Sequence, residues 1–104
     1  MQTQSPILPA KEYEMSVRIV IPSFLRFFTN NVSVVESDGS TVGGCLNDLT
    51  EQFPEIKRTL FTNDGELLDY VGVFIKGVDA YAEELAKPVK DGDEIHIIYI
   101  IGGG

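Results

Sequence analysis

The sequence predicts an α+β fold, a mixed sheet of four to five strands with one main helix packed on one face. Short segments with the periodicity of strands precede and follow a single long helical segment. The last strand, Glu94–Ile101, is apolar on both faces, which is typical of a strand in the middle of a sheet. The chain has 104 residues, 43% of them hydrophobic, which suits one domain with one core.

Two strands are expected at the start of the domain. Between Ser16 and Ile21 the apolar residues alternate with the others, which is the period of a strand, and Pro22 ends it. A second strand is predicted around Val32 to Glu36. The segment between them, Ser23 to Asn31, is rich in Phe and too long for a tight turn. We therefore expect a long hairpin connection whose aromatic side chains need cover.

The main helix is predicted to follow a turn at Ser37–Thr41. Ser40 or Thr41 can cap its first amide groups, and Pro54 ends it. Its apolar positions share one face: Val42, Leu46, Leu49 and Phe53. Gly43 and Gly44 weaken a helix by roughly 1 kcal/mol each relative to alanine, so we expect them where the helix packs closely on the sheet.

The second half of the chain alternates turns with short elements. A helical turn is predicted at Glu55–Leu60, a third strand at Val71–Lys76 and the last strand at Glu94–Ile101. The connecting segments are predicted turns at Asn63–Glu66, Gly77–Asp79 and Asp91–Asp93 and an irregular crossover from Ala80 to Lys90. The last strand is expected beside the first and parallel to it, through a right-handed crossover. This order is a β-grasp, ubiquitin-like arrangement.

The chain divides into three predicted ranges. Residues 15–101 form the β-grasp domain, and residues 102–104 a flexible glycine tail. Residues 1–14 lack periodicity and are expected to be a flexible extension or a leader.

The composition argues against several classes of protein. Lys plus Arg number 8 and Asp plus Glu 16, a formal net charge of −8, which disfavours a nucleic-acid backbone or an anionic membrane surface as the main partner. No apolar run is long enough to span a bilayer, and the N-terminus does not have the order of a secretory signal, so we expect a cytoplasmic protein. One cysteine, Cys45, and one histidine, His96, exclude an internal disulfide and a zinc cluster, and no bound cofactor or metal is expected.

The C-terminus carries the strongest functional indication, because the last strand runs directly into Gly102, Gly103 and Gly104. Three extended residues span about 10 Å. Without Cβ atoms they can enter a channel too narrow for other residues. The Gly104 carboxylate is a poor electrophile and needs activation, most simply as an acyl-adenylate made from ATP by another enzyme. Sulfide or a lysine amine could then displace AMP. The alternative interpretation is that the three glycines are a frayed end without function.

These features resemble the ThiS/MoaD family of ubiquitin-like sulfur carriers. The resemblance rests on the β-grasp order, the Asp91–Glu94 turn before the last strand and the terminal Gly103–Gly104, and it covers residues 15–104. The stretch Ile21–Arg26 is similar to the corresponding hairpin of CysO-type carriers, which supply sulfur for cysteine synthesis. Phe61–Lys76 resembles small archaeal ubiquitin-like modifier proteins.

The resemblance implies a function for the tail and a set of partners. An ATP-dependent activating enzyme, an adenylyltransferase, would adenylate Gly104, with Gly103 as the second residue of the functional pair. The resulting thiocarboxylate would donate sulfur at a synthase, which is a cysteine synthase-like enzyme, the molybdopterin synthase large subunit or a thiazole synthase. Many relatives have another residue at the position of Gly102, so it stays open whether Gly104 is the mature end or a processing metalloprotease trims it. The chain would be a protein cosubstrate and not an enzyme.

An apolar strip beside the tail is the predicted docking surface for these partners. In the expected register the helix-facing residues are Val17, Ile19, Ile21, Val71, Val73, Ile75, Ile95, Ile97, Tyr99 and Ile101. The opposite face then presents Val20, Phe74, Ile98 and Ile100, and Gly102 extends this partner-binding set into the tail.

Other residues whose side chains could carry chemistry are expected to be core or surface residues. Cys45 lies near the apolar face of the helix and is expected to be a core residue rather than a sulfur relay. His96 is expected on the outer face as a surface residue or a partner contact. Glu83–Glu84 and Asp91–Glu94 lie beside turns without the spacing of a cation loop, so we expect solvated surface that steers a basic partner.

Two alternatives to a sulfur carrier remain open. In a ubiquitin-like modifier the same activated tail would be joined to lysines of target proteins. In a β-grasp binding module the tail would be inert. Within the sulfur-carrier hypothesis the pathway depends on the partner, and cysteine-type synthesis is favoured over molybdopterin and thiamin thiazole formation.

Overall fold

A computed structural model of the protein describes residues 16–76 and 85–100. Its elements in chain order are β1 (Val17–Val20), a 3₁₀ helix (Ser23–Thr29), β2 (Val34–Ser37), α1 (Val42–Gln52), a 3₁₀ turn (Pro54–Ile56), α2 (Lys57–Leu60), β3 (Val71–Ile75) and β4 (Glu94–Tyr99). The expectations for the N-terminal extension, the Gly77–Asp79 turn, Glu83–Glu84 and the glycine tail lie outside the described residues.

Within these ranges, four strands form one mixed sheet in the order β2-β1-β4-β3. The pairs β1–β2 and β3–β4 are antiparallel, whereas β1 and β4 run parallel. The last strand therefore lies in the middle of the sheet beside the first, which confirms the predicted β-grasp order. The strand that leads towards the C-terminus is thus hydrogen-bonded to a neighbour on each side.

Alternation along the strands separates a buried face from an outer face. The predicted helix-facing residues in the described ranges all belong to the core or pack against it: Val17, Ile19, Ile21, Val71, Val73, Ile75, Ile95, Ile97 and Tyr99. They share this core with the apolar face of α1, and each buried aliphatic side chain contributes roughly 1.5–3 kcal/mol. The predicted register is confirmed for these residues, and Ile101 lies outside the described part of the chain.

The helix α1 begins and ends where the local sequence predicts. Thr41 is extended, and its Oγ1 accepts the N–H of Gly44 at 3.0 Å, so Thr41 is the N-cap. The helix ends at Gln52, because Pro54 has no N–H to donate and its ring would clash with the preceding turn. The helical turn predicted at Glu55–Leu60 is present as the 3₁₀ turn followed by α2.

The glycines of α1 do not serve close packing on the sheet, and that expectation is wrong. The N–H of Gly43 donates to Leu85 O at 2.7 Å, and the N–H of Val42 donates to Lys87 O at 2.9 Å. A Cβ at Gly43 would lie 2.9 Å from Leu85 O, whereas one at Gly44 would lie nearest to its own N-cap oxygen, at 3.3 Å. The backbone of the crossover therefore satisfies the first amides of the helix, and Gly43 permits its close approach.

The connection between β1 and β2 is a 3₁₀ helix. Leu25 is buried in the core and Phe28 packs against it. Phe27 makes an edge-to-face contact with Phe28 but stays 87% exposed, so the expected cover of the aromatic side chains is incomplete. The predicted long connection is confirmed, and only part of it belongs to the core.

The strand β2 begins at Val34, two residues later than predicted. Asn30 and Asn31 both take left-handed backbone conformations, with φ of 54° and 69°. The N–H of Val32 donates to Thr29 O at 2.9 Å, and Thr29 Oγ1 donates to Val32 O at 2.9 Å. Because Val32 uses its N–H and carbonyl groups in this local turn, the pairing of β2 with β1 starts beyond it.

Candidate functional site

The candidate site lies where the chain leaves the sheet. β4 pairs with β3 up to Tyr99, and the N–H of Ile100 donates to Tyr70 O at 2.6 Å, which extends the ladder by one residue. Residues 101–104 lie outside the described ranges, so the roles of Gly102, Gly103 and Gly104 stay predictions. Four extended residues span at most about 14 Å, so the chemistry of Gly104 would take place close to this end of the sheet.

Tyr99 is the centre of an aromatic cluster at the strand end. Its hydroxyl donates to Thr59 O at 2.9 Å. Its ring centroid lies 4.5 Å from that of Phe24 and 5.2 Å from that of Tyr70. Burial raises the pKa of the Tyr99 hydroxyl, so the group remains a hydrogen-bond donor at neutral pH.

Sequence reasoning missed this cluster. Alternation placed Tyr99 correctly on the buried face. The large number of Phe residues in the β1–β2 connection indicated a need for cover, but nothing indicated that Phe24 would find it at Tyr99. Tyr70 precedes β3, where no periodicity predicts the direction of its side chain.

The predicted docking residues share the outer face of the sheet. Val20 and Phe74 are register partners of His96 on its two neighbouring strands. Ile98 follows two residues further along β4, and Ile100 beyond it is 51% exposed. The fold therefore brings these residues together on one surface beside the strand end. Their part in partner binding stays a prediction.

Gly72 shapes this surface. It is the register partner of Ile98 on β3. A Cβ at Gly72 would lie 3.1 Å from Ile98 Cγ1 and 3.3 Å from Ile100 Cδ1. The missing side chain thus leaves room for both isoleucines to lie across β3, which joins them to the rest of the outer face.

A charged cluster borders the docking surface on the side away from the strand end. Glu94 Oε2 lies 2.8 Å from Arg18 Nη2, and Glu94 Oε1 lies 2.9 Å from His96 Nε2 and 3.6 Å from Lys76 Nζ. Hydrogen bonds from Arg18 and His96 lower the pKa of Glu94 to about 2, from its ordinary 4.5. Glu94, expected to be solvated surface, lies at the surface but is held in this ion-pair cluster, with 17% of its side chain exposed.

His96 lies in the middle of the predicted docking surface. Its ring is stacked on that of Phe74, with centroids 4.9 Å apart and planes 14° apart. The pairing of His96 with Glu94 can be predicted from the sequence, since residues two apart on a strand share a face. The pairing with Arg18 required the parallel register.

Cys45 is a core residue, as predicted. Its side chain is fully buried, and Sγ lies 3.6 Å from Gly39 O. Burial raises the pKa of the thiol, so it remains protonated at neutral pH. Among the described residues, no group of three or more His, Cys, Asp or Glu side chains is placed to hold a metal ion. None of the helices in those ranges is both long and apolar enough to cross a membrane.

Proteins of similar sequence match most of this chain. The sulfur carrier protein CysO of Mycobacterium tuberculosis is 29% identical over 93 residues, which cover 86% of this chain and all of the relative. Small archaeal modifier protein 1 of Haloferax volcanii is 34% identical over 71 residues, which cover 67% of this chain and 78% of the relative.

Solved structures share the fold. CysO in the BexX/CysO complex of Amycolatopsis orientalis superposes with a TM-score of 0.73 and 30% identity, over 85% of this chain and 99% of that one. The modifier protein of Haloferax volcanii superposes with a TM-score of 0.72 and 27% identity, over 86% and 99% of the two chains. The model of the ThiS family matches residues 19–104. Because this match spans most of the chain, the protein belongs to the ThiS family.

Proposed function

We propose that the protein is a sulfur carrier whose Gly104 is converted to a thiocarboxylate. The observation that carries this proposal is that the ThiS match runs through the last residue and includes the three glycines after β4. The similarity to proteins named sulfur carriers, over their full length, supports it. The chain acts as a protein cosubstrate and not as an enzyme, without a bound cofactor of its own.

Two steps produce the thiocarboxylate. On the activating enzyme, a carboxylate oxygen of Gly104 attacks the α-phosphorus of ATP, and pyrophosphate leaves. A sulfide nucleophile then attacks the acyl carbon, and the bond to AMP breaks with its electron pair on AMP. The thiocarboxylate sulfur then attacks an electrophilic carbon of the substrate at the synthase, whose leaving group departs with the bonding electron pair, and the product is a thioester between Gly104 and the substrate. Water cleaves the acyl C–S bond of this thioester, so the sulfur stays on the substrate. Hydrolysis on the glycine side returns the carboxylate.

The outer face of the sheet is the proposed docking surface for both partners. Val20, Phe74, Ile98 and Ile100 lie on one face beside the strand end, which would place a partner bound there close to the tail. A related CysO has been crystallised in complex with BexX, which supports a protein partner. We favour cysteine-type synthesis because of the similarity to CysO, with molybdopterin and thiazole synthesis as the other sulfur-accepting pathways.

A ubiquitin-like modifier is the second candidate function. The similarity to small archaeal modifier protein 1, at 34% identity, favours it specifically. Both functions begin with the same adenylate. They diverge at the nucleophile, which is sulfide for the carrier and a lysine amine of a target protein for the modifier.

The intact mass of the chain purified from its native cells separates these functions. A carrier is expected to show the replacement of one oxygen by one sulfur, localised to the last glycine by fragmentation. A modifier is expected to be linked through its last glycine to lysines of target proteins. Because Lys90 is the last tryptic site of the chain, trypsin would leave the peptide 91–104 on each modified lysine. A variant that lacks Gly104 is the matched control, because it changes no residue of the described fold. If the native chain shows neither product, and deletion of residues 102–104 leaves its cellular role intact, both functions are refuted.

A further inference from the structure

We infer that Tyr99 is a positioning residue that sets the direction in which the chain leaves the sheet. Its hydroxyl fixes the end of β4 against α2, and its ring fixes that end against two other parts of the chain. The inference rests on the proposed function where it concerns adenylation. The contacts that support it belong to the described fold.

The hydrogen bond from Tyr99 to Thr59 joins two elements far apart in the sequence. Thr59 belongs to α2, a helix of four residues. The last carbonyls of a helix have no partner within it, and the Tyr99 hydroxyl supplies one for Thr59. This partly buried hydroxyl has one acceptor at a fixed place, which holds the ring of Tyr99 in one orientation.

Two rings hold Tyr99 from opposite parts of the chain. Phe24 belongs to the 3₁₀ helix after β1, and Tyr70 lies immediately before β3. Phe24 and Tyr70 are 50% and 48% exposed, so the need to bury apolar surface does not by itself explain why three rings meet here. Their edge-to-face and tilted contacts constrain the orientation of the central ring.

Tyr70 connects this cluster to the last described backbone hydrogen bond. Its ring contacts Tyr99, and its carbonyl accepts the N–H of Ile100 at 2.6 Å. A loosened Tyr99 would therefore loosen the pairing of Ile100. Beyond that pair the chain ends in three glycines, which offer a partner no side chain by which to orient them. The pairing of Ile100 is therefore the last described contact before the tail, and it defines the point from which the tail enters a partner.

Tyr99→Phe tests the inference because it removes only the hydroxyl and keeps the ring. Tyr70→Phe is the matched control, since within residues 16–76 and 85–100 the Tyr70 hydroxyl makes no hydrogen bond. The first measurement is amide hydrogen exchange of the isolated chain. Tyr99→Phe is expected to speed exchange at Ile100 by about fivefold, with little change at Ile97, whereas Tyr70→Phe leaves both unchanged.

The second measurement is pyrophosphate release with the ATP-dependent adenylating enzyme of the same genome. Tyr99→Phe is expected to lower kcat by about tenfold with KM within about twofold, because the docking surface is intact and the carboxylate is misplaced. A general loss of folding would instead appear as a lowered unfolding temperature with equal losses at all amides.

The two measurements separate the inference from the proposed function. If Tyr99→Phe leaves exchange at Ile100 unchanged, or if an active wild-type chain and Tyr99→Phe have equal kcat, the inference is overturned. A wild-type chain that is not adenylated at all refutes the proposed function, and hydrogen exchange still decides whether Tyr99 holds the strand end.

Discussion

Gly43→Ala is expected to destabilise the protein, although alanine normally favours a helix over glycine by about 1 kcal/mol. The added methyl group would lie 2.9 Å from Leu85 O and 3.0 Å from Leu85 Cβ. Carbon atoms in good contact are about 3.5–4.0 Å apart, so the crossover would have to move by roughly half an ångström. It cannot do so freely, because the Gly43 N–H is bonded to that oxygen at 2.7 Å.

The magnitude follows from these opposing terms. Overpacking of this kind costs about 1–3 kcal/mol, and weakening the hydrogen bond to Leu85 costs about 1 kcal/mol. The gain in helix propensity offsets about 1 kcal/mol, which leaves a net loss of about 2 kcal/mol for Gly43→Ala. Gly44→Ala meets Thr41 Oγ1 at 3.3 Å and no crossover atom within 4 Å, so its stability should be unchanged or raised by up to about 1 kcal/mol.

Thermal and urea unfolding, followed by circular dichroism, measure this difference. Gly43→Ala is expected to unfold roughly 10 °C below the wild type, and Gly44→Ala at the wild-type temperature or slightly above it. The two variants make the same chemical change at adjacent positions of one helix, so propensity cancels in the comparison. A Gly43→Ala protein at least as stable as Gly44→Ala would refute the close approach of the crossover to the helix.

Three further predictions concern the site. Phe74→Ala should raise KM for adenylation about tenfold with kcat unchanged. Val34→Ala, on the same face at the edge of the sheet, should leave KM unchanged. Equal KM values for the two variants would remove Phe74 from the docking surface. Because the pKa of Glu94 falls from 4.5 to about 2 on folding, its contribution is complete above pH 4.5 and lost as the pH falls towards 2. Acid titration should therefore show a steeper loss of stability for the wild type than for Glu94→Gln, and parallel curves would contradict the cluster. Cys45→Ala should lower the free energy of unfolding by about 1 kcal/mol and leave thiocarboxylate formation intact, which intact mass measures. Loss of the thiocarboxylate in a folded variant would instead indicate that the Cys45 thiol relays sulfur.

Much of the fold follows from the local sequence. Alternation predicted which face of each strand is buried, because successive side chains of a strand point to opposite sides. Thr41 and Pro54 predicted the ends of the main helix through the hydrogen bonds that they make or cannot make. The central position of the last strand followed from its apolar residues on both faces, because a strand with a neighbour on each side exposes less apolar surface than an edge strand.

The errors in the prediction have a common cause. A glycine in a helix indicates a close neighbour without identifying it, so the sequence predicts packing on the sheet for Gly43. The neighbour is Leu85, in a crossover without periodicity. Similarly, the position of Glu94 beside a turn predicts solvated surface and does not reveal its ion pair with Arg18, which reaches it across the parallel pair.

The local sequence is enough to predict the strands that precede the terminal glycines and the residues that share the outer face of the sheet. These features depend on interactions between near neighbours in the chain, which periodicity and caps record. Only the folded chain shows that Tyr99 contacts Thr59, Phe24 and Tyr70 at the strand end, and that His96 lies between Val20 and Phe74. Such contacts join residues far apart in the sequence, and they exist only because core packing brings the strands, the 3₁₀ helix and α2 close together.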